Sequence, residues 1–264
     1  MNTPTTHSGV KLILAFSLSC LGMKPLEALP KELLEAMKKL VKETEKDGRE
    51  RALAICRSPS GQIFPGNEIT GTEDGFPSGL VLECPDDSEI IGHFHTHPKA
   101  TPFFSLRDIK GFAKNEWELM NCLGTPHVHY FICTFRDEDR PNVPLEEILK
   151  GRPLWEYALS ALYDWNGVRR DVGESAELAF MDIGYQTVKA ISKLYDEEDF
   201  LAYLTNVIYN AVETCHELDR YFPNHVIDED FSSPSDACKA GVDFFVEKEL
   251  REMLKEEWRK RTVT

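Results

Sequence analysis

Two regimes of apolar spacing divide the chain. From Pro30, the residues Leu33, Leu34, Met37, Leu40 and Val41 recur at helical intervals, so residues 30–47 read as an amphipathic helix that Pro30 opens and Gly48 closes. Short apolar runs with strand character follow, at Arg51 to Cys56, Gln62 to Phe64, Leu80 to Glu83 and Ile90 to His95. Turn-rich stretches separate them, notably Ser58-Pro-Ser-Gly61 and residues 74–79. A second helix is expected from about Ser105 to Met120, then a strand from Val128 to Phe135. This order predicts an α/β fold, a mixed β-sheet sandwiched by helices.

Beyond about Lys150 the strand-like runs give way to helical spacing. Pro153 to Trp165, Glu174 to Tyr195, Asp199 to Tyr221 and Ser235 to Arg259 read as four helices of an all-α C-terminal extension. The stripe Phe180, Ile183, Val188, Ile191 and Leu194 is expected to be core. The chain thus divides into an N-terminal element (1–29), an α/β domain (30–150) and a helical region (151–264), for which dimerisation or a lid over a substrate groove are two of the roles open.

With 264 residues, 42% of them hydrophobic, the chain can bury a sizeable core. Its net charge of −15 argues against a nucleic-acid footprint, which would need a basic patch. Seven scattered cysteines without a Cys-x-x-Cys pair predict reduced core thiols and a cytoplasmic setting. The run Leu12 to Met23 is too short to span a bilayer and reads as a buried N-terminal element. No membrane partner is expected.

The candidate chemistry lies in Gly92-His-Phe-His-Thr-His-Pro98, followed by Ser105 and Asp108. His95 and His97 stand one residue apart, so on an extended segment both side chains project from one face and can converge on an ion. Asp108 would supply a third ligand from the start of a helix. Two imidazoles and a carboxylate leave the fourth tetrahedral position of a zinc ion open, as in catalytic rather than structural sites. Ser105-Leu-Arg-Asp108 also reads as a capping box with Asp in place of Glu, so a dual role is expected of Ser105. His93 shares the parity of His95 and His97 and is assigned to support or core rather than ligation. His127 and His129 form another His-x-His, but no Ser and Asp follow at the same spacing, so they read as an ordinary strand pair.

The string His95-x-His97, seven residues, Ser105, two residues, Asp108, with Pro98 after the second histidine, resembles the signature of the JAMM metalloprotease family, also called MPN-plus or JAB. The resemblance covers roughly residues 30–145 and implies a JAB/MPN-like fold. It implies Zn2+ held by His95, His97 and Asp108, a carbonyl oxygen held with the help of Ser105, and an upstream glutamate as general base. Candidates for that base are Glu43, Glu45, Glu50, Glu68, Glu73, Glu83 and Glu89. Glu50 heads the apolar run to Cys56, as the family's glutamate heads a buried strand after a helix, and is the preferred one. His93 is a departure, since the family often has an aromatic there. The implied activity is that of a zinc metallopeptidase or isopeptidase, with a ubiquitin-like protein or a peptide as substrate. A hydrolase of small peptides or amides, and a non-catalytic scaffold, are the alternatives; the complete ligand set weighs against the scaffold.

Overall fold

The computed structural model describes residues 22–73, 75–98, 104–126, 130–149 and 154–171, with positions 215, 236, 239 and 240 singly. Helix α1 (Lys31–Asp47) buries Leu33, Leu34, Met37, Leu40 and Val41, the stripe expected from their spacing. It ends on Gly48, whose φ of 68° is left-handed and whose N–H caps the Thr44 carbonyl. Strands β1 (Arg51–Arg57), β2 (Ile63–Thr70) and β3 (Glu89–Thr96) follow, then helix α2 (Leu106–Lys114). Strands β4 (Met120–Gly124) and β5 (Tyr130–Phe135), the short helix α3 (Leu145–Leu149), and strands β6 (Leu159–Asp164) and β7 (Arg169–Arg170) complete the described elements.

All seven strands form one sheet in the order β2-β1-β3-β4-β5-β6-β7. Only β3 and β4 pair in parallel, joined by the crossover that contains α2; the other pairs are antiparallel. The sheet is therefore mixed, as expected. Leu53, Ile55, Phe94, Cys122, Phe131, Cys133, Ala161 and Tyr163 form the face that packs with the buried stripe of α1. Burying each large aliphatic or aromatic side chain there stabilises the fold by about 1.5–3 kcal/mol. The opposite face carries His93 and His95 and lies against α2, through contacts of His95 with Phe104 and Asp108.

Several local expectations are corrected. Residues 80–83 are not a strand of the sheet; the segment lies along the edge of β2, where the Asn67 N–H donates to the Glu83 carbonyl and the Asn67 side chain bonds Val81 and Glu83. The helix from Ser105 ends at Lys114, and Met120 begins a strand. The helix expected over Pro153 to Trp165 is instead a single 3-10 turn, Leu154–Glu156, followed by β6. The sheet thus continues beyond residue 150, because β5 and β6 pair over their full length. The other three C-terminal helices lie outside the described residues, as do residues 12–21 and the pair His127 and His129.

Reduced thiols are also a correction. Cys56 is bonded to Cys84 and Cys122 to Cys133. Cys122 and Cys133 are directly opposed in the β4/β5 register, which brings their side chains together on one face. Cys215 is disulfide-bonded as well. The thiol argument for a cytoplasmic setting therefore falls away. Among the described residues no helix is long and apolar enough to cross a membrane.

Candidate metal centre

Strand alternation builds the centre. On β3 and just beyond it, His95 and His97 turn to one side while Thr96 turns to the other, where its hydroxyl lies 2.6 Å from the Thr44 hydroxyl of α1 and accepts from the Arg51 N–H. The contacts of Thr96 pin the backbone between the two histidines. Just past the strand, the His97 N–H donates to the Gly124 carbonyl at the end of β4. Small residues on β1 leave room for the rings, since Ala54 pairs with His93 and Ala52 with His95.

Asp108 enters from the start of α2. Ser105 is the N-cap: its hydroxyl accepts from the Asp108 N–H at 3.2 Å, while the Ser105 N–H donates to Asp108 Oδ2 at 2.7 Å. The Ser105 hydroxyl is also 2.7 Å from that same oxygen. This is a complete capping box, and it orients the Asp108 carboxylate toward the histidines. Asp108 Oδ1 lies 3.4 Å from His95 Nε2, and Asp108 Oδ2 lies 3.2 Å from His97 Nε2. One possible ligand atom from each of His95, His97 and Asp108 lies within 4.8 Å of the others. His93 is not one of this group, in keeping with a supporting place.

Electrostatics suit the three residues to a cation. Burial pushes the His95 imidazole below its ordinary pKa, although Asp108 acts in the opposite direction, so the ring stays neutral. Burial would raise the Asp108 carboxyl, but His95 and His97 outweigh it and hold it well below the usual carboxylate range. The positive end of α2 favours the same ionised form. Both ring nitrogens of His95 and Nδ1 of His97 are buried without a hydrogen-bond partner among the described residues. Unpaired buried nitrogens are costly, and two imidazoles beside a carboxylate are the donor set that a divalent ion such as zinc takes. The residues therefore fit a metal.

Glu50 immediately precedes β1 and is buried. Its backbone is held on both sides by the following loop: its N–H donates to the Thr72 carbonyl and its carbonyl accepts from Gly71. By strand alternation Glu50 falls on the side of Ala52, which pairs with His95. Its carboxylate lies beside Gly75, where an added Cβ would stand 3.7 Å from Glu50 Oε2 and 2.9 Å from the Arg107 guanidinium. Gly75 has a φ of 132°, which glycine adopts freely, and the missing side chain leaves space for those two charged groups. Among the other glutamates considered, Glu43 contacts Arg51, Glu68 pairs with Lys39 and Glu89 with Arg57.

Two features were not foreseen. Phe104 is buried with its ring 6.1 Å from that of His95, closing one side of the centre. Glu118 is fully buried, with Oε1 2.7 Å from His93 Nδ1. Burial opposes charge on His93, but Glu118, with Asp108 acting in the same sense, outweighs it and raises the imidazole above its ordinary pKa. Glu118 was hidden inside a segment read as helix, where a glutamate is usually solvated.

Neither a family model nor a curated protein matches the chain. Among solved structures, a JAB1/MPN domain protein from Archaeoglobus fulgidus matches at 14% identity and a TM-score of 0.25, over 53% of this chain and 90% of that one.

Proposed function

We propose that this chain is a zinc-dependent hydrolase of peptide or isopeptide bonds. One observation carries the reading: His95, His97 and Asp108 converge with buried imidazole nitrogens that have no hydrogen-bond partner among the described residues. The residue string that they share with the JAMM signature supports it. When bound, a zinc ion supplies Lewis acidity toward a carbonyl and lowers the pKa of water to about 7.

The chain's own residues would do the rest. His95, kept neutral by burial, His97 and the ionised Asp108 bind the ion. Ser105 holds Asp108 in place through the capping box and, by turning its hydroxyl, would donate to a substrate carbonyl oxygen. Glu50 would take a proton from the attacking water and return it to the departing amine. Burial of His95 and Phe104 keeps bulk water from the reacting groups.

A ubiquitin-like protein, cut after its C-terminal Gly-Gly, is the substrate proposed. A narrow extended tail of that kind can lie along a strand edge. Incubating the metal-loaded protein with ubiquitin-like fusions and with short peptides tests the reading and separates it from a hydrolase of small amides. Cleavage should fall at least about 100-fold in Glu50→Gln, the low end for a positioned acid or base. It should be absent in His95→Ala. Equal cleavage by the parent and both variants would sink the mechanism, and a native protein without stoichiometric zinc would favour a scaffold.

A further inference from the structure

Glu118 is the most costly side chain to bury near the centre. Its exposure is 0%. Its close contact is His93 Nδ1 at 2.7 Å. A buried ion pair repays its desolvation only in part, so apolar residues at both positions would pack at lower cost.

The backbone around Glu118 is nevertheless built to hold it there. The buried Arg136 guanidinium donates from Nε to the Glu118 carbonyl and from Nη2 to the Phe112 and Asn115 carbonyls. The Glu118 N–H donates to the Asn115 carbonyl. This ties the turn after α2 to the end of β5 and aims the carboxylate at β3. The contacted ring is in turn packed on a ligand: the His93 and His95 centroids are 5.3 Å apart, and those of His95 and Phe104 are 6.1 Å apart. His95 has no hydrogen bond among the described residues to orient it, so its neighbours must do so by contact.

We propose that Glu118 is a positioning residue for the metal centre: through His93 it fixes the His95 ring. The proposal rests on the metal-binding reading of His95, His97 and Asp108. Carboxylates that orient a ligating histidine directly change metal affinity by about 10–100-fold; Glu118 acts through His93, so the low end is expected. A purely structural Glu118 would instead support the metal-free fold.

The test compares the parent with Glu118→Gln and with the double variant His93→Phe/Glu118→Met, which replaces the pair by apolar side chains. Zinc affinity is read by competition with a chromogenic chelator, ligand geometry by the visible absorption of the Co2+ form, and folding by the melting temperature of the metal-free protein. Both variants should bind zinc about 10-fold or more weakly and show an altered Co2+ spectrum, with metal-free melting unchanged or raised. If Glu118→Gln does not fold, the double variant decides. Variants that match the parent in affinity and spectrum overturn the proposal and leave the metal reading intact. A parent that binds neither ion overturns both. Two variants that both fail to fold assign the pair to stability and also overturn it.

Discussion

Ser105 and Asp108 each cap the other: the serine hydroxyl receives the aspartate N–H, and the aspartate carboxylate receives the serine N–H. The same carboxylate faces His95 and His97 at 3.4 and 3.2 Å. A helix start and a metal ligand are thus one construction, and a change in the cap is transmitted to the centre.

Ser105→Ala should therefore have two separable effects. Loss of the cap costs about 1 kcal/mol of stability, seen as a lower urea midpoint in metal-free protein. The freed Asp108 carboxylate should also bind zinc more weakly. Ser105→Thr keeps the hydroxyl and should restore both. A variant with normal zinc affinity and a lowered midpoint would confine Ser105 to capping.

Gly92 meets β4 too closely for any side chain. A Cβ there would lie 1.7 Å from the Met120 carbonyl oxygen, and a backbone atom cannot step aside as a flexible side chain can. Gly92→Ala should push β3 and β4 apart at the strand that carries the histidines, destabilising the protein by about 3 kcal/mol or more. Chemical denaturation measures this; a cost below about 1 kcal/mol would contradict the close approach.

Asp47 clamps Arg51 through both carboxylate oxygens, at 2.8 and 2.6 Å, linking the end of α1 to the start of β1. The hydrogen bond from Arg51 is the main cause that lowers the Asp47 pKa from 3.8 to about 2. A depressed carboxylate stabilises the fold above its unfolded pKa, and that contribution disappears as pH falls from 3.8 toward 2. Asp108 adds a loss of the same sign at low pH. Asp47→Asn should lower stability at neutral pH and flatten the acid limb between pH 4 and 2 without abolishing it. An acid limb of unchanged slope in urea melts across that range would refute the assignment.

The Cys122 to Cys133 bond closes a short loop between two buried, directly opposed strand positions. Loops of this size restrict the unfolded chain by about 2–3 kcal/mol. Replacing both cysteines with alanine should lower the urea midpoint accordingly. Alkylation of the unreduced, unfolded protein should leave Cys56, Cys84, Cys122 and Cys133 unmodified, whereas labelling at these positions would mean the bonds are not formed.

What could be read along the chain was whatever depends on neighbours in sequence. The α1 stripe, the Gly48 stop, the alternation that sets His95 and His97 to one side, and the Ser105 cap each follow from residues a few positions apart. Strands β4 and β6 were not legible, because MNCLG and LSALYD are buried almost throughout and lack the β-branched residues that mark the equally buried YFICTF as a strand. A strand covered on both faces has no alternation to separate it from a helix. The cysteine pairs were hidden for a related reason. Register alone brings Cys122 opposite Cys133, and the course of the segment along β2 brings Cys84 to Cys56. Sequence by itself thus determined which side chains could ligate an ion, through local periodicity and capping chemistry. Tertiary structure alone decided that Asp108 reaches both histidines and that a buried Glu118 stands behind His93. Those contacts join β3 to residues that follow it by way of the α2 crossover, and long-range packing brings them together.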